Sequence, residues 1–189
     1  MKNTILKSAL TLLILGVSLQ AAECYNAKTI DVTWTSYKTM AKIGVGGNFS
    51  DTALEGLTKN APTAQAMLKD AKVTLSLKKL DAHNPTKNSN IAEFFVSNLS
   101  SEAIRASIVS IDKKKLIIAI TLNKKTLNIP MNYIQNASHI KAEGFIDALD
   151  FDLVPALRTL NKNVSGHKNK GWNDISIAFD IPFTTGTCK

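Results

Sequence analysis

Residues 103–134 read AIRASIVSIDKKKLIIAITLNKKTLNIPMNYI, and this stretch decides the fold. Apolar residues recur at every second position in three runs, Ala103 to Ile111, Leu116 to Leu122 and Leu127 to Ile134, and in Leu116-Ile117-Ile118-Ala119-Ile120 both faces are apolar. A period of two is that of strands, not helices. Between the runs stand Asp112-Lys113-Lys114 and Asn123-Lys124-Lys125, short polar segments with the composition of hairpin turns. The three runs therefore predict an antiparallel meander.

The same period extends outward. Upstream, Ile30, Val32 and Trp34 alternate with Asp31, Thr33 and Thr35 towards Tyr37, and Val73, Leu75 and Leu77 form another run. Between these, Ala41 to Phe49 carries Gly44, Gly46 and Gly47, which allow a strand to bend sharply or to pass close to another backbone. Downstream lie Ile140 to Ile146 and the series Ile175, Ile177, Phe179, Ile181. Eight strand candidates with mostly short connections predict a mainly-β chain folded as an antiparallel eight-stranded β-barrel. Three short helices interrupt it. Asn60-Ala61-Pro62 opens the first over Thr63 to Lys72, Asn90 with Glu93 opens a turn or two through Phe94-Phe95-Val96, and the third begins near Asp152. In the third, Leu153, Val154, Leu157 and Leu160 make a helical stripe and Pro155 falls in the tolerated first turn.

With 44% hydrophobic and 20% charged residues, 189 residues are enough for one packed core and exclude a disordered or collagen-like chain. The first 21 residues stand apart: Lys2 and Lys7 precede an apolar run from Ala9 to Leu19 and then the small pair Ala21-Ala22. That is the pattern of a secretory signal, too short in its apolar part to span a bilayer. Residues 22–189 are then a single domain in the periplasm or outside the cell. Lipoprotein processing at Cys24 is excluded because Glu23 stands where a small residue is needed. Removing the two leader lysines lowers the formal charge from +8 to +6. The lysines sit mostly in pairs beside turns, where they discourage edge pairing. Nucleic acid is not the expected partner, while a membrane surface with anionic headgroups stays open, as does a homodimer. Two cysteines remain, Cys24 and Cys188, and an oxidising compartment predicts a disulfide joining the two ends of the chain.

The motif inventory holds little chemistry. His83, His139 and His167 have no partners at metal-ligand spacing, so no metal is expected. Gly44-Val45-Gly46-Gly47 fails the dinucleotide fingerprint at Phe49, and Gly166 to Gly171 lacks the Lys of a phosphate-binding loop. Asp147, Asp150 and Asp152 suit a strand end followed by a helix N-terminus. A rival reading makes Asp147, Asp150 and His139 the polar centre of a hydrolase or isomerase. A third makes the chain a surface interaction module around a filled barrel. Without a catalytic motif, the expectation is a binding protein with no catalytic residues.

Ile30-Asp31-Val32-Thr33-Trp34 leads through Tyr37-Lys38-Thr39-Met40 to Gly47-Asn48-Phe49, Asn90 to Phe95 ends in paired phenylalanines, and residues 143–151 and 171–179 follow. Together these segments resemble the YceI-like family of exported, lipocalin-like polyisoprenoid-binding proteins: its opening strand with the basic and methionine positions and the G-x-F, its short helix with paired phenylalanines, and its last two strands with the insertion between them. The family's Arg-Asp pair before the phenylalanines is absent, Asn88-Ser89 standing near that place. The resemblance implies a barrel whose apolar interior takes an isoprenoid or other long apolar lipid, such as a quinone tail or polyprenyl phosphate, with no cofactor beyond that ligand.

For the ligand-binding wall the expected residues are Trp34, Tyr37, Met40 and Phe49 from the opening segment, with Phe94 and Phe95 from the short helix. Ile108, Ile118, Met131 and Phe179 are expected from the strands. Met40 and Met131 fit this role best, because flexible thioethers adapt to a floppy chain.

Overall fold

The computed structural model describes residues 22–112 and 115–188. The expected leader, residues 1–21, and Lys113-Lys114 of the first expected turn lie outside the described residues. Eleven strands form one antiparallel sheet: β1 (Glu23–Ala27), β2 (Asp31–Lys38), β3 (Ile43–Phe49), β4 (Thr52–Glu55), β5 (Lys72–Ser76), β6 (Leu80–Asp81), β7 (Ala103–Ile111), β8 (Lys115–Leu122), β9 (Lys125–Gln135), β10 (His139–Asp147) and β11 (Gly171–Thr187). Their order is β4-β5-β7-β8-β9-β10-β11-β2-β3-β6, with β1 added along the end of β11.

The eight expected runs are all strands, but the expected closed, eight-stranded barrel is not what forms. The sheet curls into an open half-barrel whose path ends at β4 and β6, strands not paired with each other. Three short strands account for the higher number. Ser50-Asp51 separates β4 from β3, a 3₁₀ turn at Leu77–Lys79 separates β6 from β5, and β1 pairs with the far end of β11.

Alternation decides which side chains go inside. In β8, Leu116, Ile118, Ile120 and Leu122 are buried while the residues between them are not, and β9 and β10 continue the inner layer with Ile129, Met131, Tyr133, Ile140, Ala142 and Ile146. The two-residue link Asn123-Lys124 takes left-handed φ of 51° and 68°, the geometry that matches strand twist in a tight hairpin. Asn123 suits it twice over. Its side chain accepts from Ser100 N (2.7 Å) and donates to Phe151 O (3.0 Å), which ties the turn to its neighbours.

Three helices fill the longer connections: α1 (Ala64–Leu68), α2 (Pro85–Phe94) and α3 (Val154–Asn163). The caps of the first two differ from expectation. Thr63, not Asn60, caps α1 by accepting from Ala66 N (3.0 Å). Asn84, not Asn90, caps α2 by accepting from Lys87 N (3.0 Å), with Pro85 in the first turn where its missing N–H costs nothing. The strand directions divide the molecule into two poles. The β2–β3 and β8–β9 turns, α2 and α3 lie at one; β1, α1 and the ends of the described chain lie at the other. There Cys24 and Cys188 form the expected disulfide, with Cα atoms 5.0 Å apart and a sequence separation of 164.

Candidate functional site: an apolar cavity inside the half-barrel

The inward faces of the curled sheet do not meet. They enclose a cavity of about 240 Å³. Leu68 and Ala71, beside α1, border one end; Ile91 and Phe95 of α2 and Leu157 and Leu160 of α3 border the other. Between them the wall is built from the inward parity of successive strands, Val32, Trp34 and Ser36 in β2 and Ile175, Ile177 and Phe179 in β11. Such a surface offers water almost no hydrogen bonds and suits a hydrocarbon. Trp34 Nε1 is an exception: it is buried with no acceptor among the described residues, so a ligand oxygen at that depth would find a donor.

Polar groups gather at the pole covered by α2 and α3. Lys38 from the end of β2, Lys87 and Asn90 from α2, and His167 from the turn after α3 all border the cavity. His167 Nδ1 donates to Asn161 Oδ1 (2.7 Å), which leaves Nε2 as an acceptor in the neutral ring. Burial, and secondly the positive charge of Lys38, hold the imidazole below its usual 6.5. At neutral pH the ring is therefore uncharged. The mouth can offer ammonium donors from two lysines, an amide and an imidazole to one polar head.

No family model matches the sequence, and no curated protein matches it. Solved structures do. A polyisoprenoid-binding domain from Saccharophagus degradans implicated in plant cell wall breakdown superposes with a TM-score of 0.59 at 12% identity, over 88% of this chain and 100% of that one. BcnA of Burkholderia cenocepacia gives 0.53 at 13% identity, over 82% and 96%. A mutant Campylobacter jejuni YceI protein with a monobromobimane guest gives 0.50 at 16% identity, over 96% and 97%. The chain has the YceI fold.

Within this YceI fold, eight of the ten expected wall residues border the cavity: Trp34, Tyr37, Phe49 and Phe95, then Ile108, Ile118, Met131 and Phe179. Tyr37 does so only in part, for its hydroxyl bonds Ser176 Oγ (2.9 Å) on the face that also carries exposed Phe145. The other two do not border it. Met40 is 78% exposed at the tip of the β2–β3 turn. Phe94 follows the helix away from the cavity, because neighbours on a helix point about 100° apart and Phe95 takes the inward direction. Four mouth residues went unread: Lys38, Lys87, Asn90 and His167. Lys38 alone carried a signal, since it shares the inward parity of Trp34 and Ser36.

The YceI fold also separates the rival acid cluster. His139 begins β10 and Asp147 ends it, about 27 Å apart along an extended strand. His139 Nδ1 instead meets Asp180 Oδ1 (2.7 Å) on the outer face, with Lys141 Nζ 3.2 Å from Oδ2. Burial works to raise the Asp180 carboxyl, and the hydrogen bonds from His139 and Lys141 outweigh it, so the group titrates below the usual carboxylate range. Asp147 closes a turn by accepting from Leu149 N (2.8 Å), and Asp152 pairs with Lys125 (2.7 Å). The interaction-module reading fares no better, as it requires a filled interior. Asn88, where the Arg-Asp pair was expected, accepts from Ala82 N (2.7 Å) and donates to Asp81 Oδ1 (2.9 Å), which pins α2 to β6.

Proposed function

We propose that the protein is a non-catalytic carrier for an isoprenoid or similarly long apolar lipid, acting in the periplasm or outside the cell. The tail lies in the cavity and the polar head meets Lys38, Lys87 and His167 at the α2–α3 mouth. The observation that carries this reading is the cavity itself, walled mostly by apolar side chains from the α1 end to the mouth, with its charged and titratable groups at the mouth. Transfer of hydrocarbon out of water contributes roughly 25 cal/mol per Å² buried, so each 100 Å² of tail adds about 2.5 kcal/mol without any catalytic group. A domain of the same fold that is named for polyisoprenoid binding supports the choice of ligand class. The disulfide supports an oxidising compartment.

The test is native mass spectrometry with lipid extraction on protein purified gently from its own compartment. A stoichiometric isoprenoid is expected, and its head identifies it as a quinone or a polyprenyl phosphate. Met131→Asp places a carboxylate on the inner face of β9, and retention should fall at least about tenfold. A protein that arrives empty and takes up neither class in vitro would overturn the reading.

A further inference from the structure

Met40 stands 78% exposed and Ile43, three residues on, 52% exposed. Large apolar side chains grouped in water mark a surface that something covers. The turn that carries them is firmly built. Lys42 N bonds back to Thr39 O (3.2 Å), Thr39 N bonds Lys170 O (3.0 Å), and Trp172 Nε1 donates to the same Thr39 carbonyl (2.8 Å). Thr39 and Lys42 hold left-handed φ of 62° and 53°, so the chain reverses sharply and presents Met40 as a knuckle.

Cations surround the knuckle. Lys170 Nζ lies 4.6 Å and Lys42 Nζ 5.2 Å from the Trp172 ring centroid, and Lys42 also lies 5.1 Å from that of Tyr37. The two segments that build this corner, residues 34–48 and 161–174, contain five lysines and a single carboxylate. That carboxylate, Asp174, is already bound to Lys42 at 2.6 Å. Asp147 lies across the sheet from Asp174, with Asp150 beyond it on the way to α3, so the basic, apolar corner is confined to the β2–β3 side of the pole.

We propose that this knuckle docks on an anionic lipid bilayer. Met40 and Ile43 enter the boundary between headgroups and acyl chains, Trp172 sits at headgroup depth, and Lys168 and Lys170 meet lipid phosphates. Charge selects this occupant: an apolar tip ringed by lysines and backed by an indole complements a negatively charged interface. Lys38 ends β2 just before the turn and also borders the cavity. Docking therefore sets the α2–α3 mouth against the bilayer. The inference goes beyond the carrier reading and stands whatever the cavity holds.

The experiment is cosedimentation of the natively processed protein with vesicles of phosphatidylglycerol and phosphatidylethanolamine, and with vesicles of phosphatidylcholine alone. Binding is expected to the first and not the second, and to weaken as salt rises. Met40→Asp and the pair Lys168→Glu, Lys170→Glu should each lower partition about tenfold, while Met40→Leu keeps it. Lys168→Glu alone, at an exposed position, serves should the pair disturb folding, with unchanged melting as the control. Equal binding to phosphatidylcholine, or binding indifferent to Met40→Asp, overturns the proposal. Native mass spectra of the same samples keep the two readings apart. A ligand-loaded protein that ignores vesicles refutes docking alone, and one that docks but arrives empty and takes up neither lipid class refutes the carrier alone.

Discussion

At Gly47 the β3 backbone passes β6 so closely that a Cβ added there would lie 1.9 Å from Asp81 O. The obstacle is main chain, which cannot rotate away, so the strands themselves would have to part. Gly47→Ala should lower stability by about 1–3 kcal/mol, read as an earlier urea midpoint; an unchanged midpoint would contradict the crossing. The glycine run announced either a bend or a close passage, and this residue supplies the passage. Met40 misled for an equally local reason. Its parity continues that of Trp34 and Ser36, and a strand extended by two residues would have pointed it inward. Thr39 at φ 62° ends the strand first, and nothing in a threonine foretells a left-handed conformation. The wall residues that alternation made legible, Trp34, Ile108, Ile118, Met131 and Phe179, lie inside long strands, while Phe49 ends β3 and Phe95 follows α2.

Among the elements, the eight long strands could be read because each spans five residues or more and carries apolar residues at every second position or, in β3, a run of glycines. The three that escaped are short or patternless: β1 is Glu-Cys-Tyr-Asn-Ala, β4 has four residues and β6 two. Their pairing is dictated by the sheet they join. Helix α2 was misplaced because its first half, Pro85 to Asn90, is polar and no residue of it is buried, so no apolar stripe marks it. It owes its place to Asn88. Replacing Asn88 with Ala removes both bonds to the β6 end, and stability should fall by about 1–2 kcal/mol. Amide exchange should quicken in α2 but not in β8 or β9. Uniform quickening across the sheet would show that α2 is not the separable part. Asp81 would also titrate closer to its ordinary 3.8, since the Asn88 bond is the largest of the influences that lower it.

For the molecule as a whole, the two poles divide the labour. One holds the mouth and the lysine-ringed knuckle; the other holds α1, the β1–β11 pairing and the disulfide. A bridge across 164 residues removes much conformational freedom from the unfolded chain. Replacing both cysteines with serine should cost about 2–5 kcal/mol in denaturation measurements, with the cavity's ligand content unchanged if the poles act separately. Loss of the ligand together with the bridge would instead tie the cavity to the chain ends.

That bridge has a mechanical meaning as well. The described chain leaves the fold at a single pole, through two residues 5.0 Å apart that share a covalent bond. A pull applied at the two ends runs through sulfur at Cys24, the second residue of β1, and never reaches the half-barrel. Once the bridge is reduced, the first load falls on the five-residue ladder between β1 and β11, which unzips pair by pair before the half-barrel feels any force.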